Sequence, residues 1–268
     1  MTEIHPTAII DKKAEISEDV RIGPYTVIGK NVHIGKNCVI YDHVHLEGIT
    51  RIGENNIIYP FVTFGTPPQD LSYNQEENRL EINNNNIFRA HVHINTGSKK
   101  GGGVTSIGSN NYFMVFSHVG HDCKIGNNII FTNNTAVGGH SIVEDFANLS
   151  FAVGIHQFTK VGAYCMIGGG AQIIQDVPPY STVVGSRPSI IAGVNTIGLR
   201  RHGFSKNQIS NIRKAFKLLF WSDLNTKDAI KQIKSTLEID DKISHLLDFI
   251  ESSERGIIKK TAGQKRNS

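Results

Sequence analysis

The feature that most constrains this chain is an aliphatic or aromatic side chain at every sixth position over most of its first two thirds. A period of six fits neither an α-helix, which repeats every 3.6 residues or so, nor an ordinary hairpin. It fits a short strand followed by a turn, repeated as stacked coils that bond to one another through their backbones. We therefore predict a mainly β fold whose periodic side chains form one columnar core: Ile4, Ile10, Ile16, Ile22, Ile28, Ile34, Ile40, Leu46, Ile52, Ile58, Phe64, Ile82, Phe88, Ile94, Ile107, Phe113, Val119, Ile125, Phe131, Val137, Val143, Leu149, Ile155, Val161, Ile167 and Ile173.

Two interruptions of the period predict loops that leave this stack. The first, near residues 65–81, keeps the phase of six but places Asp70 and Glu76 at positions expected to face the core. The second, near residues 95–106, carries three consecutive glycines and two lysines and shifts the spacing by one. Loops on a rigid scaffold commonly carry binding residues, so we expect both excursions to contribute to function.

The period ends before the last quarter of the chain. We assign residues 1–196 to the repeat domain, 197–256 to a C-terminal helical domain and 257–268 to a disordered basic tail. Ser205 is a good N-cap for an amphipathic helix, and two further helices are expected at about 226–237 and 241–252. The simplest role for these helices is to cover the open end of the repeat stack.

Composition excludes several classes of protein. With 28 basic and 24 acidic side chains, the formal charge is only +4, which argues against a nucleic-acid partner. No apolar run approaches the roughly 18 residues that a membrane span requires, so no stable membrane insertion is expected. Three cysteines without paired spacing, Cys38, Cys123 and Cys165, predict a reducing and therefore cytoplasmic environment.

Four histidines fall within about two predicted coils and should cluster in space: His118, His121, His140 and His156. Such a cluster could ligate a metal, as in the γ-class carbonic anhydrases that some hexapeptide proteins resemble. It could lower the pKa of Cys123 for nucleophilic catalysis, or supply a neutral general base oriented by Asp122. Residue identity alone also allows histidines that are merely hydrogen-bonded.

The local motifs favour the general base. HVGHDCKIGNN, AVGGH, GIHQF, QDVPPY and GVNTIGLRRHGFS together resemble the acyl-carrier-protein:UDP-N-acetylglucosamine O-acyltransferase family, over nearly the whole chain. The resemblance implies a left-handed parallel β-helix of hexapeptide repeats with a C-terminal α-helical domain, assembled as a homotrimer with active sites between subunits. Handedness comes only from this resemblance, because the usual crossover rule predicts the opposite turn.

The resemblance also implies roles for individual residues. His121 would remove a proton from the sugar 3-hydroxyl, with Asp122 beside it and the Gly139 amide as the oxyanion donor. Acyl carrier protein and UDP-N-acetylglucosamine would be the partners, and neither a metal nor another cofactor would be needed. The family sets acyl length at the position of Gly169, where a glycine leaves the groove long. The substrate-binding residues would be Gln69, Asp70, His118, His140, His156, Gln157, Asn195 and Arg201.

Three departures from the family pattern concern charge. Asn95 and Thr96 stand in a segment that is usually basic, Ser72 replaces a typical lysine, and His202 replaces a common arginine. Lost positive charge at these places should weaken contacts with a nucleotide diphosphate or a phosphopantetheine arm. Two alternatives therefore stay open: an N-acyltransferase acting on a nucleotide aminosugar, and a non-catalytic paralogue that only binds the nucleotide sugar.

Overall fold

A computed structural model describes residues 1–258 of the chain. These residues form the expected left-handed parallel β-helix, with three sheets along its faces and four α-helices at the C-terminal end of the described part. Consecutive strands lie in different sheets, and each pairs in parallel with the strand one coil away. The last two strands are the exception, because they pair antiparallel in one sheet. The three faces are called sheets A, B and C below, and the turns between them are called the A/B, B/C and C/A corners.

The strands are mostly two residues long because each coil must turn three times. Sheet A contains Glu3–Ile4, Arg21–Ile22, Val39–Ile40, Ile57–Ile58, Ile87–Phe88, Tyr112–Phe113, Ile130–Phe131, Asn148–Leu149, Met166–Ile167, Ser181–Val184 and Ile190–Val194. Sheet B contains Ile9–Ile10, Val27–Ile28, His45–Leu46, Thr63–Thr66, His93–Asn95, His118–Val119, Ala136–Val137, Gly154–Ile155 and Gln172–Ile173. Sheet C contains Glu15–Ile16, Val32–Ile34, Ile49–Ile52, Arg79–Ile82, Val104–Ile107, Lys124–Ile125, Ile142–Val143 and Lys160–Val161.

The periodic side chains are buried from Ile22 onward, which confirms the columnar core. Phe64, Phe88, Phe113 and Phe131 stack through its centre, with neighbouring ring centroids 4.4 to 4.9 Å apart. The first coil differs from the expectation, because Ile4 is 49 % exposed. Ile4 lies in the edge strand of sheet A, which pairs with the next coil on one side.

Left-handed backbone conformations mark the corners. Asn residues take positive φ along the C/A corner, because asparagine tolerates left-handed backbone conformations, and aromatic or histidine side chains take it along most of the A/B corner. At the B/C corner the residues with positive φ include Asp122, His140 and Phe158. The corner geometry thus places functional side chains in register, one coil above another.

Both interruptions of the period lie at the B/C corner. The chain leaves sheet B after Thr66 and rejoins sheet C at Arg79, and one coil later it leaves after Asn95 and returns at Val104. The second loop contains a short 3-10 turn, Lys99–Gly101. Asp70 and Glu76 both lie half-exposed in the first loop and outside the column, as the interruption of the period predicts.

The helices are α1 (Thr196–Arg201), α2 (Lys206–Phe220), α3 (Thr226–Thr236) and α4 (Asp241–Glu251). Ser205 caps α2 as expected, in a reciprocal pair of hydrogen bonds with Gln208. Helix α1 was not expected, because six residues are too few to show helical periodicity. None of the helices in the described residues is long and apolar enough to cross a membrane.

The C-terminal segment after α4 returns to the β-helix. The backbone of Asp176 pairs with Gly256 and Ile258, and its carboxylate accepts a hydrogen bond from Ser253. Ile258 is buried, so the predicted start of a disordered tail at 257 is too early by at least two residues. The rest of that predicted tail, 259–268, lies outside the described residues.

Helix α4 is fastened to sheet C by an ion pair that responds to pH. His245 Nε2 lies 3.0 Å from Glu144 Oε2, and this hydrogen bond raises the pKa of His245 above its usual value. A histidine whose pKa is raised by folding stabilises the fold fully below its unfolded pKa, and the contribution is lost as the pH rises through the folded value.

The contribution of this pair to stability should therefore fall between pH 6 and pH 8, by less than about 1 kcal/mol because the pair is partly exposed. Urea unfolding at the two pH values checks this, because Glu144→Gln should destabilise the protein more at pH 6 than at pH 8. Glu15→Gln, which removes the exposed partner of His33, should show no such difference. An equal pH difference in Glu144→Gln and wild type would assign the effect to other groups.

Candidate active site

The centre of the site is a histidine and an aspartate that are adjacent in sequence at the B/C corner. His121 Nδ1 lies 2.8 Å from Asp122 Oδ2, and the Asp122 side chain is fully buried. Because a carboxylate only accepts hydrogen bonds, the neutral imidazole must carry its proton on Nδ1. Nε2 is then left with a free lone pair, which is the form that a general base requires.

Asp122 is held by the second loop. Ser98 donates to both carboxylate oxygens, from its backbone N–H at 2.7 Å and from its hydroxyl at 2.6 Å. Gly101 lies directly against the Asp122 carboxylate. A side chain at this position would clash, because its Cβ would lie 2.1 Å from the carboxyl carbon. The loop that the sequence marks as an interruption therefore fixes the orienting carboxylate.

Gly139, one coil above, supplies a backbone amide beside the imidazole. A Cβ on Gly139 would lie 2.7 Å from His121 Nε2, so only glycine lets the ring lie against this turn. Within residues 1–258, no carbonyl or side chain accepts the Gly139 N–H. An unbonded amide next to the basic nitrogen is suitably placed to stabilise a developing oxyanion.

His140 and His118 flank the base on two sides. The His140 ring stacks on Phe158 at 4.4 Å and meets His121 edge-on at 5.0 Å, and burial lowers its pKa. Burial also lowers the pKa of His118 to about 4, with a smaller contribution from the neighbouring His93. Both histidines are therefore neutral at pH 7.

The first loop places Asp70 near the base. Its carboxylate accepts hydrogen bonds from the backbone and hydroxyl of Ser72, which lower its pKa, and its charge reaches His121 and His140. Gln69 is exposed next to it. Lys100 from the second loop donates to the Ser72 hydroxyl at 2.8 Å. A positive charge therefore lies next to Ser72, supplied by the second loop.

Asn95 also has a role that the sequence did not suggest. It is buried and donates to the Pro67 carbonyl at 2.7 Å and to the Thr66 hydroxyl at 2.9 Å, so it ties the two loops together. Thr96 is likewise buried against Thr66. Both side chains are buried, and their hydrogen bonds are made within the two loops.

His156 and Gln157 lie exposed at the same corner, two coils above His121. Arg255, in the segment after α4, donates to His156 Nδ1 at 2.8 Å and to the Ile174 carbonyl at 3.0 Å. Arg255 was missed from the sequence because 99 residues separate it from His156.

A groove of about 350 Å³ runs along sheet B beside this site. His118 lies at one end, Ala136 and Gly154 form a low floor, and Gln172 and Arg187 lie at the other end. Small residues at the centre leave room for an unbranched apolar chain. Gly169 does not line this groove, because it lies exposed at the A/B corner.

Asn195 and Arg201 are not brought to the base within one chain. Arg201 belongs to α1 at the C/A corner, and Asn195 is its N-cap. The Asn195 amide oxygen accepts from Gly198 N, and the amide nitrogen donates to the Tyr164 carbonyl. Arg201 is exposed in the last turn of α1. His202 lies against Phe146 and Tyr164.

Cys123 does not fit the role of a nucleophile. Its side chain points into the core, its thiol donates to the Gly138 carbonyl, and burial raises its pKa to about 12. A protonated thiol that a substrate cannot reach is not a nucleophile at neutral pH.

A metal would have to share the same groups as the base. The ligand atoms of His121, Asp122 and His140 lie within 4.8 Å of one another and could hold a cation. Both Asp122 oxygens, however, already accept bonds from Ser98 or His121. The donor set therefore fits a hydrogen-bonded dyad better than a cation.

This fold and this dyad define a hexapeptide-repeat acyltransferase. Models of two families match the chain, Udp N-acetylglucosamine O-acyltransferase (Domain 2) over residues 176–258 and bacterial transferase hexapeptide (six repeats) over residues 13–48. The acyl-[acyl-carrier-protein]–UDP-N-acetylglucosamine O-acyltransferase of Thermodesulfovibrio yellowstonii is 48 % identical, covering 97 % of this chain and 100 % of that protein. The chain belongs to this O-acyltransferase family.

Solved structures agree with the sequence relatives. The UDP-N-acetylglucosamine acyltransferase of Francisella novicida superposes with a TM-score of 0.93 at 38 % identity, covering 96 % of this chain and 94 % of that one. That of Bacteroides fragilis gives a TM-score of 0.92 at 41 % identity, covering 96 % and 100 %. Such coverage extends the likeness to both the β-helix and the helical domain.

Proposed function

We propose that this enzyme transfers a 3-hydroxyacyl or plain acyl chain from acyl carrier protein to the 3-hydroxyl of UDP-N-acetylglucosamine, the first step of lipid A biosynthesis. The observation that carries the proposal is the His121–Asp122 pair, with a free Nε2 beside the unbonded Gly139 amide. Membership of the O-acyltransferase family supports the choice of donor and acceptor.

The reaction follows from this geometry. His121 Nε2 takes the proton of the sugar hydroxyl while its oxygen attacks the thioester carbonyl carbon. The carbonyl oxygen gains negative charge and accepts a hydrogen bond from Gly139 N–H. As the carbon–sulfur bond breaks, the imidazolium returns the proton to the thiolate of the phosphopantetheine arm. Asp122 stabilises the imidazolium and holds the ring in place.

The remaining residues bind the two substrates. The loop carboxylate Asp70, with Gln69 and His140, would hold the sugar over the base, while His156 and Gln157 would contact the nucleotide. The acyl chain would lie in the groove from His118 toward Gln172. The groove is about 14 Å long, because His118 and Gln172 are three coil steps apart at about 4.8 Å each. In our proposal no metal or further cofactor takes part.

A homotrimer would complete the site. Asn195 and Arg201 lie at a different corner from His121, so they could reach the same nucleotide only across a subunit interface. Gly169 would act on the acyl chain in the same way. The A/B corner carries the apolar surface that such an interface needs, a stacked and exposed row formed by Tyr25, His43, Phe61, His91 and Phe116.

Carrier protein would dock on the helical domain. A cavity of about 740 Å³ between α1 and α2 is lined by basic side chains that suit an acidic helical protein: Arg200, Lys206, Arg213, Lys214 and Lys217. The three cysteines are free and buried, as suits a protein of a reducing compartment. We place the reaction in the cytoplasm.

Mass spectrometry of the products tests the proposal. Purified enzyme, 3-hydroxyacyl carrier protein and UDP-N-acetylglucosamine should give an ester that mild base cleaves. An alkali-stable amide formed only with a 3-aminosugar nucleotide would establish the N-acyltransferase instead, and no product with either acceptor would favour a non-catalytic paralogue. A fully active monomer would contradict the shared site.

A further inference from the structure

A second pair of histidines lies on the outer face of sheet B, one coil below the base. His93 and His118 are register partners on adjacent strands, with parallel rings 5.1 Å apart and their Nδ1 atoms 3.0 Å apart. Two Nδ1 atoms at this distance share one proton, so one ring donates and the other accepts. The mechanism above uses neither the pair nor its polarity.

A chain of hydrogen bonds runs from the Pro67 carbonyl through Asn95, Thr66 and His93 to His118. The direction of each bond can be worked out from the Pro67 end. The Pro67 carbonyl can only accept, so the atom of Asn95 that lies 2.7 Å from it must be the amide nitrogen. That nitrogen also lies 2.9 Å from Thr66 Oγ1, to which it donates its second proton. Thr66 Oγ1 has one further neighbour among the described residues, His93 Nε2 at 2.8 Å. Donation of the hydroxyl proton to His93 Nε2 gives Thr66 Oγ1 one accepted and one donated hydrogen bond within the chain, and this is the polarity that we infer.

The same logic fixes both imidazoles. His93 accepts at Nε2, so its own proton lies on Nδ1 and is donated to His118 Nδ1. His118 must then carry its proton on Nε2. Burial lowers the pKa of both rings, which keeps them neutral and preserves this order at pH 7.

His118 Nε2 has no hydrogen-bond partner in the part of the chain that the structure describes. The ring lines the sheet B groove, whose neighbouring floor is Ala136 and Gly138. This N–H is thus a donor without an acceptor at the end of the groove nearest His121. An oxygen atom close to the reacting end of an acyl chain would satisfy it.

We propose that His93 is a positioning residue that locks His118 as an Nε2–H donor, which binds an oxygen of the acyl donor, either its carbonyl or a hydroxyl near it. The ligand assignment rests on the proposed function, whereas the tautomer does not. A structural pair without this role would need no fixed polarity.

NMR of protein labelled with ¹⁵N-histidine reads the tautomer without any substrate, so its result is independent of the catalysed reaction. Wild type should show His118 protonated at Nε2 and not at Nδ1. In His93→Phe, which retains a stacked ring but no donor, both tautomers should be populated. An Nδ1-protonated His118 in wild type, or an unchanged His118 in His93→Phe, would overturn the proposal.

Kinetics test the consequence for the acyl donor. His93→Phe and Thr66→Val, which interrupts the network without altering either histidine, should each raise KM for 3-hydroxyacyl carrier protein about threefold to tenfold, as expected for one hydrogen bond. KM for UDP-N-acetylglucosamine should change less than twofold. The matched control His45→Phe alters an outward histidine of the same sheet outside the network. An unchanged donor KM in both test variants would contradict the role of His118.

Discussion

Asparagine in place of His121 is expected to lower kcat for acyl transfer by about 10³- to 10⁴-fold, the upper part of the range for a positioned general base. Asparagine retains hydrogen bonding to Asp122 but has no nitrogen that accepts a proton at neutral pH. Both substrates still bind, so their KM values should change little. Single-turnover rates measured by mass spectrometry separate this chemical effect from binding.

The matched control is His45→Asn, on sheet B away from the B/C corner loops that form the site. His45→Asn should retain wild-type activity. The two variants should have the same melting temperature, which would show that both are folded. If His121→Asn kept more than a tenth of the wild-type rate while folded, another group would have to be the base.

Alanine in place of Gly139 is expected to lower kcat by about 10²-fold, similar to the loss of one oxyanion donor. Its Cβ would lie 2.7 Å from Cε1 and Nε2 of His121, so the ring or the turn must move and the amide no longer lies beside the base. The backbone itself tolerates alanine, because φ at this position is not positive. The melting temperature should stay close to that of wild type, so the loss of activity would not be due to unfolding.

Gly29→Ala is the control for that substitution, since Gly29 follows a sheet B strand and its Cβ would meet nothing closer than 3.4 Å. Wild-type activity in Gly29→Ala beside a large loss in Gly139→Ala would assign the loss to the His121 contact. Near-wild-type activity in Gly139→Ala would place the oxyanion donor elsewhere.

The column of the β-helix was predictable because every coil repeats the same local rule. One side chain in six faces inward, and each coil contacts only its neighbours. The same arithmetic predicts that His121 and His140 lie together. The count of six stays in phase through Asp70 and Glu76, so the acidic residue type, and not the spacing, indicates that the chain leaves the column there.

The supports of the site could not be predicted in the same way. Ser98 reaches Asp122 and Lys100 reaches Ser72 through loop conformations that no period describes. Arg255 arrives at His156 only because the segment after α4 pairs with Asp176. Asn195 has the residue type of a ligand and of a helix cap, and only the structure shows that its amide caps α1.

The lower coils of the β-helix add to its length but contribute nothing to its active site. The hydrogen bonds that orient Asp122 and His121 come from Ser98 and later residues, and the coils before Thr66 contribute no side chain to the dyad or the groove. Each coil has about 18 residues and bonds only to the coils next to it. The lower coils therefore support the site from below without shaping it. Deleting or duplicating one whole coil there would shorten or lengthen the column and leave the spacing of the reactive atoms unchanged.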